Sequence, residues 1–284
     1  MSRTVFVNGE YLAEEEAKVS IFDRGFLFAD GVYEVTSVLD GKLIDFDGHV
    51  ARLARSLAAL EMPNPVTAED LRAIHHELIA RNDLHEGGIY LQVTRGAADR
   101  DFIYPADATP TLVLFTMAMK LTGPGKADQG IKVIAIEDQR WGRRDIKTVQ
   151  LLYPSMGKMM AKAAGKDDAW MVEDGFVTEG TSNNAYIVTK DGKIVTRQIG
   201  PEILNGITRT AVLRFAREAQ MVVEERPFTI AEAQNAAEAF ITSATTFVMP
   251  VVEVDGAALG DGRPGPVAKR LREIYLEETR SMAS

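Results

Sequence analysis

Trp141-Gly142-Arg143-Arg144-Asp145-Ile146-Lys147 is followed, 32 positions after its lysine, by Glu179 within Val177-Thr178-Glu179-Gly180-Thr181-Ser182-Asn183-Asn184. A lysine amine attacks an aldehyde only when it is unprotonated, so burial or neighbouring positive charge must favour that form. Arg143 and Arg144 are candidates for that charge. A carboxylate such as Glu179 suits the far end of a pyridine ring, because it keeps the ring nitrogen protonated. Together the residues indicate an aldehyde cofactor held as a Schiff base, although either one alone is typical of a surface charge.

A phosphate site is indicated further along the chain. In Ile203-Leu204-Asn205-Gly206-Ile207-Thr208-Arg209-Thr210 an Asn-Gly turn leads directly into a helix-periodic segment. The amides of Ile207 and Thr208 would be unpaired at the helix start, where the helix dipole favours an anion. Thr242-Ser243-Ala244-Thr245-Thr246 follows an apolar run and would place hydroxyl donors at the end of a strand. An ordinary helix start and an ordinary strand end are the alternative interpretations of these two segments.

Composition narrows the class of protein. The chain has 284 residues, of which 46% are hydrophobic and 26% charged, with a formal net charge of −9 and no cysteine. The absence of cysteine excludes disulfides and thiolate metal sites. The acidic balance argues against nucleic acid as the main partner. We expect no signal peptide and, since no run of about 18 apolar residues occurs, no membrane span. A cytoplasmic enzyme is the expectation.

Other catalytic motifs are missing. The sequence contains no G-x-S-x-G, no P-loop and no G-x-G-x-x-G. We predict no metal site, because the adjacent histidines His75 and His76 would diverge on a helix; the four histidines are interpreted as surface or packing residues. Met156, Met159 and Met160 lie at helical spacing and are predicted to fill the core.

Patterning predicts an α+β protein with two domains: residues 1–120, a linker at 121–126, and 127–284. The first is a smaller α/β domain; the second is a larger, β-rich domain with flanking helices. Predicted strands cover 31–40, 42–45, 88–95, 111–117, 131–137 and 247–254, with hairpin turns at 174–175 and 191–192. Predicted helices run from a cap at Asp47 to about Leu60, from a capping box at Thr67 through Arg81, and over 208–220 and 266–282.

In these motifs the chain resembles the class IV, fold type IV, pyridoxal-phosphate aminotransferases. The resemblance extends over essentially the whole chain. It begins with Phe22-Asp23-Arg24-Gly25-Phe26 and Asp30-Gly31-Val32-Tyr33-Glu34, continues through His49-Val50-Ala51-Arg52-Leu53, and includes the stretches quoted above. The family includes D-amino-acid aminotransferases, branched-chain aminotransferases and aminodeoxychorismate lyase.

The resemblance implies a role for each candidate residue. Lys147 would bond to pyridoxal 5'-phosphate and then carry the proton between the substrate Cα and the cofactor. Glu179 would pair with the pyridine nitrogen, and Leu204 would lie against the ring face. The phosphate would be held by Arg52, Ile207, Thr208, Ser243 and Thr245; the family has a hydroxyl where this chain has Ala244.

Substrate choice depends on how the carboxylate of the substrate is held. The D-amino-acid branch uses tyrosine, arginine and histidine; Tyr33 and Arg100 match, but Phe102 stands where the histidine would be. Arginine can bind a carboxylate through two hydrogen bonds, so Arg100 can suffice. The predicted reaction moves an amino group from a D-amino acid, such as D-alanine, to 2-oxoglutarate or pyruvate. The resemblance also implies a homodimer in which the loop bearing Arg100 serves the neighbouring subunit's site.

Four alternatives stay open. One is transfer from (R)-amines, because Phe102 makes the substrate pocket more apolar. A second is a branched-chain L-amino-acid aminotransferase, and a third is a lyase of the aminodeoxychorismate type, which needs no keto-acid acceptor. The fourth is a non-catalytic dimer that only sequesters the cofactor or a phosphorylated metabolite.

Overall fold

The computed structural model describes residues 2–123 and 125–284, and in them the chain forms two compact units. Unit 1 comprises Met1–Leu121, Ile146–Gln150 and Met282–Ser284, and unit 2 comprises Thr122–Asp145 and Leu151–Ser281. Unlike the predicted domain of residues 1–120, unit 1 therefore contains the short segment that carries Lys147.

Unit 1 is built on an antiparallel six-stranded sheet of order β2-β1-β6-β5-β3-β4 within the described residues. Its strands are β1 Thr4–Val7, β2 Glu10–Ala13, β3 Gly31–Leu39, β4 Lys42–Leu43, β5 Glu86–Thr94 and β6 Thr111–Ala118, and its helices are α1 Arg24–Phe28, α2 Phe46–Ala59 and α3 Ala68–Asn82. The hairpin of β1 and β2 was not predicted, although its turn, Asn8-Gly9, has the positive φ angles that this dipeptide favours.

The apolar face of this sheet packs against α2 and α3. Buried side chains from the strands and both helices form one core that includes Val32, Leu53, Leu78, Ile89 and Leu114. Residues of β3 alternate between this core and the other face, as a two-residue period requires. Glu34 lies on the same face of β3 as Val32 and Thr36, so its carboxylate is buried.

The starts of α2 and α3 differ from each other in their capping. The prediction that Asp47 caps α2 is wrong, because the residue before the helix is Asp45, two residues earlier, and Asp47 lies in the first turn. Asp45 adopts a left-handed backbone conformation and makes no side-chain cap. The cap of α3 is as predicted: the Thr67 hydroxyl accepts a hydrogen bond from the Asp70 amide at 3.1 Å.

Unit 2 contains a nine-stranded mixed sheet in the described part of the chain, ordered β12-β11-β10-β13-β14-β7-β8-β9 with β15 beside β14. The strands are β7 Ile131–Glu137, β8 Asp168–Glu173, β9 Phe176–Gly180, β10 Asn184–Val188, β11 Ile194–Thr196, β12 Val223–Glu225, β13 Glu238–Ser243, β14 Phe247–Val254 and β15 Ala257–Ala258, and the helices are α4 Lys126–Gln129, α5 Leu152–Ala163, α6 Ile207–Glu218, α7 Ile230–Gln234 and α8 Pro266–Met282. Both predicted hairpin turns connect strands of this sheet.

Two helices of unit 2 differ in how their apolar residues are used. On α8, Leu271 and Tyr275 are almost fully buried. On α5 the prediction of core filling is wrong: Met156, Met159 and Met160 are between 42% and 62% exposed. Their helix buries Gly157 and Ala161 instead.

Candidate active site

Lys147 is held in unit 1 by backbone pairing with the start of β3. Its carbonyl accepts a hydrogen bond from the Tyr33 amide at 3.0 Å, and its neighbour Thr148 forms an antiparallel bridge with Val32. The Lys147 amide also donates a hydrogen bond to the Ser56 hydroxyl of α2, at 3.3 Å. The side-chain Nζ lies 4.0 Å from the centre of the Tyr33 ring. The structure therefore brings the predicted lysine and the predicted substrate-binding tyrosine together.

Tyr33 belongs to a row of aromatic rings on the sheet. It stacks on Tyr90 with 5.7 Å between ring centres, and Tyr90 stacks on Phe115 at 4.9 Å. Burial, and then the proximity of Tyr33, raises the pKa of Tyr90 to about 12. Tyr90 therefore stays uncharged at physiological pH, and its stacking on Tyr33 orients the ring that Lys147 contacts.

Arg52 lies on α2 in a buried cluster of charged residues. Its Nε and Nη2 each donate to the Glu34 carboxylate at 2.7 Å, and His49 Nδ1–H donates to the same carboxylate at 2.7 Å. Burial opposes ionisation of Glu34, but Arg52 and then His49 outweigh burial and hold the pKa of Glu34 at about 2. Glu34 and His49 were not predicted as site residues. A signal existed, because Glu34 occupies a core-phase position of a strand, and His49 and Arg52 are three residues apart on a helix.

Arg100 and Phe102 lie on the exposed loop between β5 and β6. Phe102 is 78% exposed. The Arg100 guanidinium carbon is 5.4 Å from the Phe28 ring centre and 5.6 Å from that of Phe102. Within the described residues the Arg100 side chain has no carboxylate within 4.0 Å and no hydrogen bond, so its donors are available to a ligand.

Glu179 is buried in unit 2, near the end of β9. Its Oε2 accepts hydrogen bonds from the Leu204 amide and from Asn184 Nδ2, both at 3.1 Å, and its Oε1 accepts one from Arg140 Nη1 at 2.5 Å. Burial raises the pKa of Glu179, while Arg140 and the Leu204 amide favour the ionised form. The predicted carboxylate and the predicted ring-face residue, Leu204, are therefore neighbours.

Arg140 is a member of this group that was not predicted. Its Nε and Nη2 donate to Asp138 at 2.9 and 2.7 Å, and Thr178 Oγ1 also donates to Asp138. Asp138 thus orients the guanidinium that contacts Glu179. The sequence signal was weak, because an Asp and an Arg two positions apart after a strand are common on surfaces.

Arg143 and Arg144 do not supply unpaired positive charge, contrary to the expectation. Arg143 Nε and Nη2 donate to Asp145 at 2.9 and 3.0 Å. Arg144 is buried and makes a bidentate pair with Glu173, at 2.8 and 2.9 Å. Both guanidinium charges are therefore balanced by carboxylates within unit 2.

The start of α6 lies where the sequence predicts a helix start, and the anion site assigned to it stays a prediction. Gly206 is the residue before the helix, and no side chain among the described residues caps it. The first intrahelical bond is donated by Thr210, so the amides of Ile207 and Thr208 precede the helical ladder. A Cβ at Gly206 would lie 2.2 Å from Asn184 Oδ1, the same side chain that donates to Glu179. Glycine at this position thus allows close packing between the helix start and the Glu179 group.

The hydroxyl segment connects β13 and β14. The Ser243 and Thr246 hydroxyls share a hydrogen bond of 2.7 Å, and Thr245 is half-buried with no side-chain hydrogen bond in the described part of the chain. Phe247, fully buried, has a φ of 56°, which is unusual for a bulky residue. Arg272 of α8 donates to the carbonyls of Thr246 and Val248, at 2.7 and 2.9 Å, and so stabilises the turn.

These residues fit pyridoxal phosphate. Taken by itself, unit 1 offers an amine beside an aromatic ring. Taken by itself, unit 2 offers a buried carboxylate, uncapped helix amides and a hydroxyl that has no side-chain hydrogen bond within the described residues. No set of three or more His, Asp or Glu side chains in residues 2–123 and 125–284 is arranged to hold a metal ion. In the same residues, no helix combines the length and apolarity needed to cross a bilayer.

Comparison with known proteins places the chain in a family. A model of amino-transferase class IV matches residues 31–254. A D-alanine aminotransferase of Bacillus licheniformis is 42% identical over 280 residues, which cover 97% of this chain and 98% of the relative. A D-alanine aminotransferase of Staphylococcus haemolyticus is 37% identical over 282 residues, 99% of each chain.

The fold is shared with solved structures. The T.th. branched-chain amino acid aminotransferase with pyridoxamine 5'-phosphate has a TM-score of 0.90 and 26% identity, covering 98% of this chain and 94% of its own. The family model and the long relatives agree with the α+β architecture and with the residues that suit the cofactor. The chain belongs to the class IV aminotransferases, and it is a pyridoxal-phosphate-dependent enzyme with their fold type IV architecture.

Proposed function

We propose that the protein transfers an amino group from a D-amino acid, such as D-alanine, to a 2-oxo acid, 2-oxoglutarate or pyruvate. The D-alanine aminotransferases of Bacillus licheniformis and Staphylococcus haemolyticus support this substrate class. The observation that carries it is Arg100, which lies beside the Phe28 and Phe102 rings and whose donors are unused within residues 2–123 and 125–284. A guanidinium with free donors suits the carboxylate that every amino acid and 2-oxo acid bears.

Each residue of the site has a role in this reaction. Pyridoxal phosphate supplies an aldehyde that bonds to amines and a ring that accepts the electrons released when a Cα proton leaves. Lys147 would hold the cofactor through its Nζ, and as a free amine that Nζ would accept the proton that leaves the donor Cα. Tyr33 orients the lysine and borders the substrate. Glu179 keeps the proton on the ring nitrogen, since a buried carboxylate gains more from that partner than an exposed one would.

The phosphate roles are also proposals. Arg52, Ile207, Thr208, Ser243 and Thr245 are assigned to the phosphate group, and Leu204 to the ring face. The uncapped amides of α6 support this assignment, as does the Thr245 hydroxyl, which makes no hydrogen bond with the part of the chain that the structure describes. For Arg52, the support is that Glu34 occupies Nε and Nη2, which fixes the orientation of the guanidinium.

The test is a two-substrate assay. D-alanine and 2-oxoglutarate are incubated with the holoenzyme, and pyruvate and the chirality of the glutamate formed are measured. We expect both products, with D-glutamate as the isomer. Turnover that continues when the 2-oxo acid is omitted would instead identify a lyase. Absence of pyruvate with every D-amino acid would contradict the proposal.

A second activity, on (R)-amines that lack a carboxylate, is favoured by Phe102. Its ring stands 78% exposed where the D-amino-acid branch has a histidine, so this side of Arg100 is apolar. Phe28 packs against it with 5.5 Å between ring centres. We expect slower reaction with (R)-1-phenylethylamine than with D-alanine. If the rate with the amine equals or exceeds the rate with D-alanine, amine transfer would be the main activity and D-amino-acid transfer the second.

We propose a homodimer in which the loop bearing Arg100 serves the neighbouring subunit. Each unit exposes large apolar side chains. Those of unit 1 include Val19, Ile21, Phe22, Phe26, Phe102 and Ile103, and those on α5 of unit 2 are Leu152, Met156, Met159 and Met160. Exposed apolar surface of this kind is typical of an interface. Light scattering should give twice the chain mass of 31.1 kDa. A monomeric mass would contradict the dimer. The cytoplasmic location stays a prediction, which cell fractionation tests.

A further inference from the structure

Arg24 connects the body of unit 1 to the loop that carries Arg100. The Arg24 side chain is 3% exposed, and its Nη1 donates to the Asp101 carbonyl at 2.6 Å. The Arg24 amide donates to the Gly96 carbonyl at 2.9 Å. One residue therefore bonds to the loop at both sides of Arg100.

Arg24, which we call the anchor of this loop, is itself fixed by a buried carboxylate. Arg24 Nε donates to Asp30 Oδ2 at 2.8 Å. Arg95 donates to the same carboxylate through Nε at 2.7 Å and Nη2 at 3.2 Å, and it also donates to the carbonyls of Leu60 and Glu61. Two guanidinium groups thus share one carboxylate. Asp30 immediately precedes β3, so the anchor is tied to the strand that carries Tyr33.

Aromatic rings complete the connection to Arg100. Tyr104, also on the loop, places its ring centre 3.6 Å from the Arg95 guanidinium carbon and 5.6 Å from that of Arg24. The Phe28 ring centre is 4.5 Å from the Arg24 guanidinium carbon and 5.4 Å from that of Arg100. Ring faces stabilise guanidinium groups without using their hydrogen-bond donors. Phe28 is thus a contact shared by the anchor and the substrate-binding arginine.

Packing around the anchor leaves little freedom for this part of the chain. A Cβ at Gly25 would lie 2.3 Å from Thr94 Cγ2, so the residue after Arg24 sits directly on the end of β5. Asp23 accepts hydrogen bonds from the Gly25 amide and from the Thr94 hydroxyl, at 2.8 and 2.9 Å. Ala98 on the loop donates to the Phe22 carbonyl at 3.2 Å. The loop is therefore bonded to the segment around Arg24 at several points.

We propose that Arg24 is a positioning residue for substrate specificity: it holds the 96–104 loop so that Arg100 meets the carboxylate of D-amino acids and 2-oxo acids. This inference rests on the proposed function. Arg24 uses two different nitrogens, Nε for Asp30 and Nη1 for the Asp101 carbonyl. Lysine cannot replace it, because its one ammonium nitrogen cannot reach both acceptors. The residue acts on binding of the carboxylate and leaves the chemistry at Lys147 unchanged.

The test is a comparison of kinetic constants for Arg24→Met. This substitution leaves Asp30 paired with Arg95, so it creates no unpaired buried charge and the protein should fold. We expect KM for D-alanine and for 2-oxoglutarate to rise about tenfold or more, with kcat changing much less. In the Arg100→Ala background, Arg24→Met should add less than about twofold to KM, because Arg24 acts through Arg100. Arg24→Lys should fail to restore KM.

Arg72→Met is the matched control. Arg72 also bonds to a carboxylate and a hydroxyl, those of Asp47 and Ser284, and lies 4.4 Å from the Phe46 ring centre, but it does not contact the loop. Its KM values should match those of the wild type. If Arg24→Met yields no folded protein, Tyr104→Leu decides, and an unchanged KM for D-alanine overturns the inference.

The possible failures can be told apart. A wild-type enzyme that does not react with D-alanine overturns both the proposed function and this inference. An active wild type with equal KM values in Arg24→Met overturns the inference alone. An equal rise in KM in the wild-type and Arg100→Ala backgrounds also overturns it, since that pattern would mean a general structural role.

Discussion

Replacing Glu34 with Gln tests the buried cluster that orients Arg52. The substitution removes the carboxylate charge that pairs with the buried guanidinium of Arg52. Depression of the pKa of Glu34 from 4.5 to about 2 corresponds to about 3 kcal/mol of stability at neutral pH. Breaking a buried pair by removing one partner costs about 3 to 5 kcal/mol, which is a similar magnitude.

The pH dependence has a definite sign. Because the pKa of Glu34 is lower in the folded protein than in the unfolded chain, its stabilising effect is fully present above about pH 4.5. The effect is lost as pH falls through about 2. Glu34→Gln should therefore unfold more easily at pH 7, with a Tm lower by about 5 to 10 °C. The difference from the wild type should shrink as pH falls from 4.5 toward 2.

The assay is thermal unfolding of the cofactor-free protein at several pH values, with Glu77→Gln as the control. Glu77 also pairs with an arginine of unit 1, Arg81, at 2.6 Å, but both side chains are nearly half exposed. Such a pair contributes at most about 1 kcal/mol. Equal effects of Glu34→Gln and Glu77→Gln at pH 7 would refute the reasoning about the buried cluster.

Three further results are expected. Arg100→Ala should weaken binding of D-alanine and 2-oxoglutarate by about 1.5 to 3 kcal/mol, because a charge-assisted hydrogen bond is lost; unchanged KM values for both would remove Arg100 from the substrate site. Borohydride reduction of the holoenzyme followed by peptide mapping should find the cofactor on the Lys147 peptide, and Lys147→Ala should abolish the adduct. An adduct on another lysine would show that Lys147 is not the residue that binds the cofactor. Burial holds the pKa of His75 at about 4, below the usual 6.5, so its neutral form stabilises the fold above pH 6.5 and that stabilisation is lost as pH falls through 4. His75→Gln should flatten this part of the stability profile, and an unchanged profile would show that His75 is not responsible.

Local patterns predicted the regular elements well. The strands Ile131–Glu137 and Phe247–Val254 and the helix Pro266–Met282 have the bounds that were predicted. Each is a strongly periodic segment that ends at a turn or a helix-starting proline, and such signals depend only on neighbouring residues. Asp47 was the wrong cap because Asp45, two residues earlier, adopts the left-handed conformation that begins the helix.

Non-local features could not be predicted in the same way. Pairing of Thr148 with Val32 places the lysine segment in unit 1, and nothing in the local pattern of either segment indicates this pairing. Met156, Met159 and Met160 form an apolar stripe, but a stripe does not show whether its helix packs on its own core or stays exposed.

The sequence predicted the main residues of the candidate site but not the partners that surround them. The sequence motifs identified Lys147, Glu179 and the start of α6 through resemblance to a family. Two charged partners, Arg140 beside Glu179 and Glu34 beside Arg52, were not predicted, and the distances in the structure identify them. Burial reverses the usual expectation for Glu34: a charged residue in a strand is normally placed on the solvent side, and only its contact with Arg52 explains why this one is not.

The most direct test of the account is the half-reaction followed by visible absorbance. The yellow holoenzyme is mixed separately with D-alanine, L-leucine and (R)-1-phenylethylamine, without any 2-oxo acid, and conversion to the pyridoxamine form is recorded. We predict fast bleaching by D-alanine, slower bleaching by the (R)-amine and none by L-leucine. Bleaching by L-leucine in preference to D-alanine, or no bleaching by any of the three donors, would contradict the account.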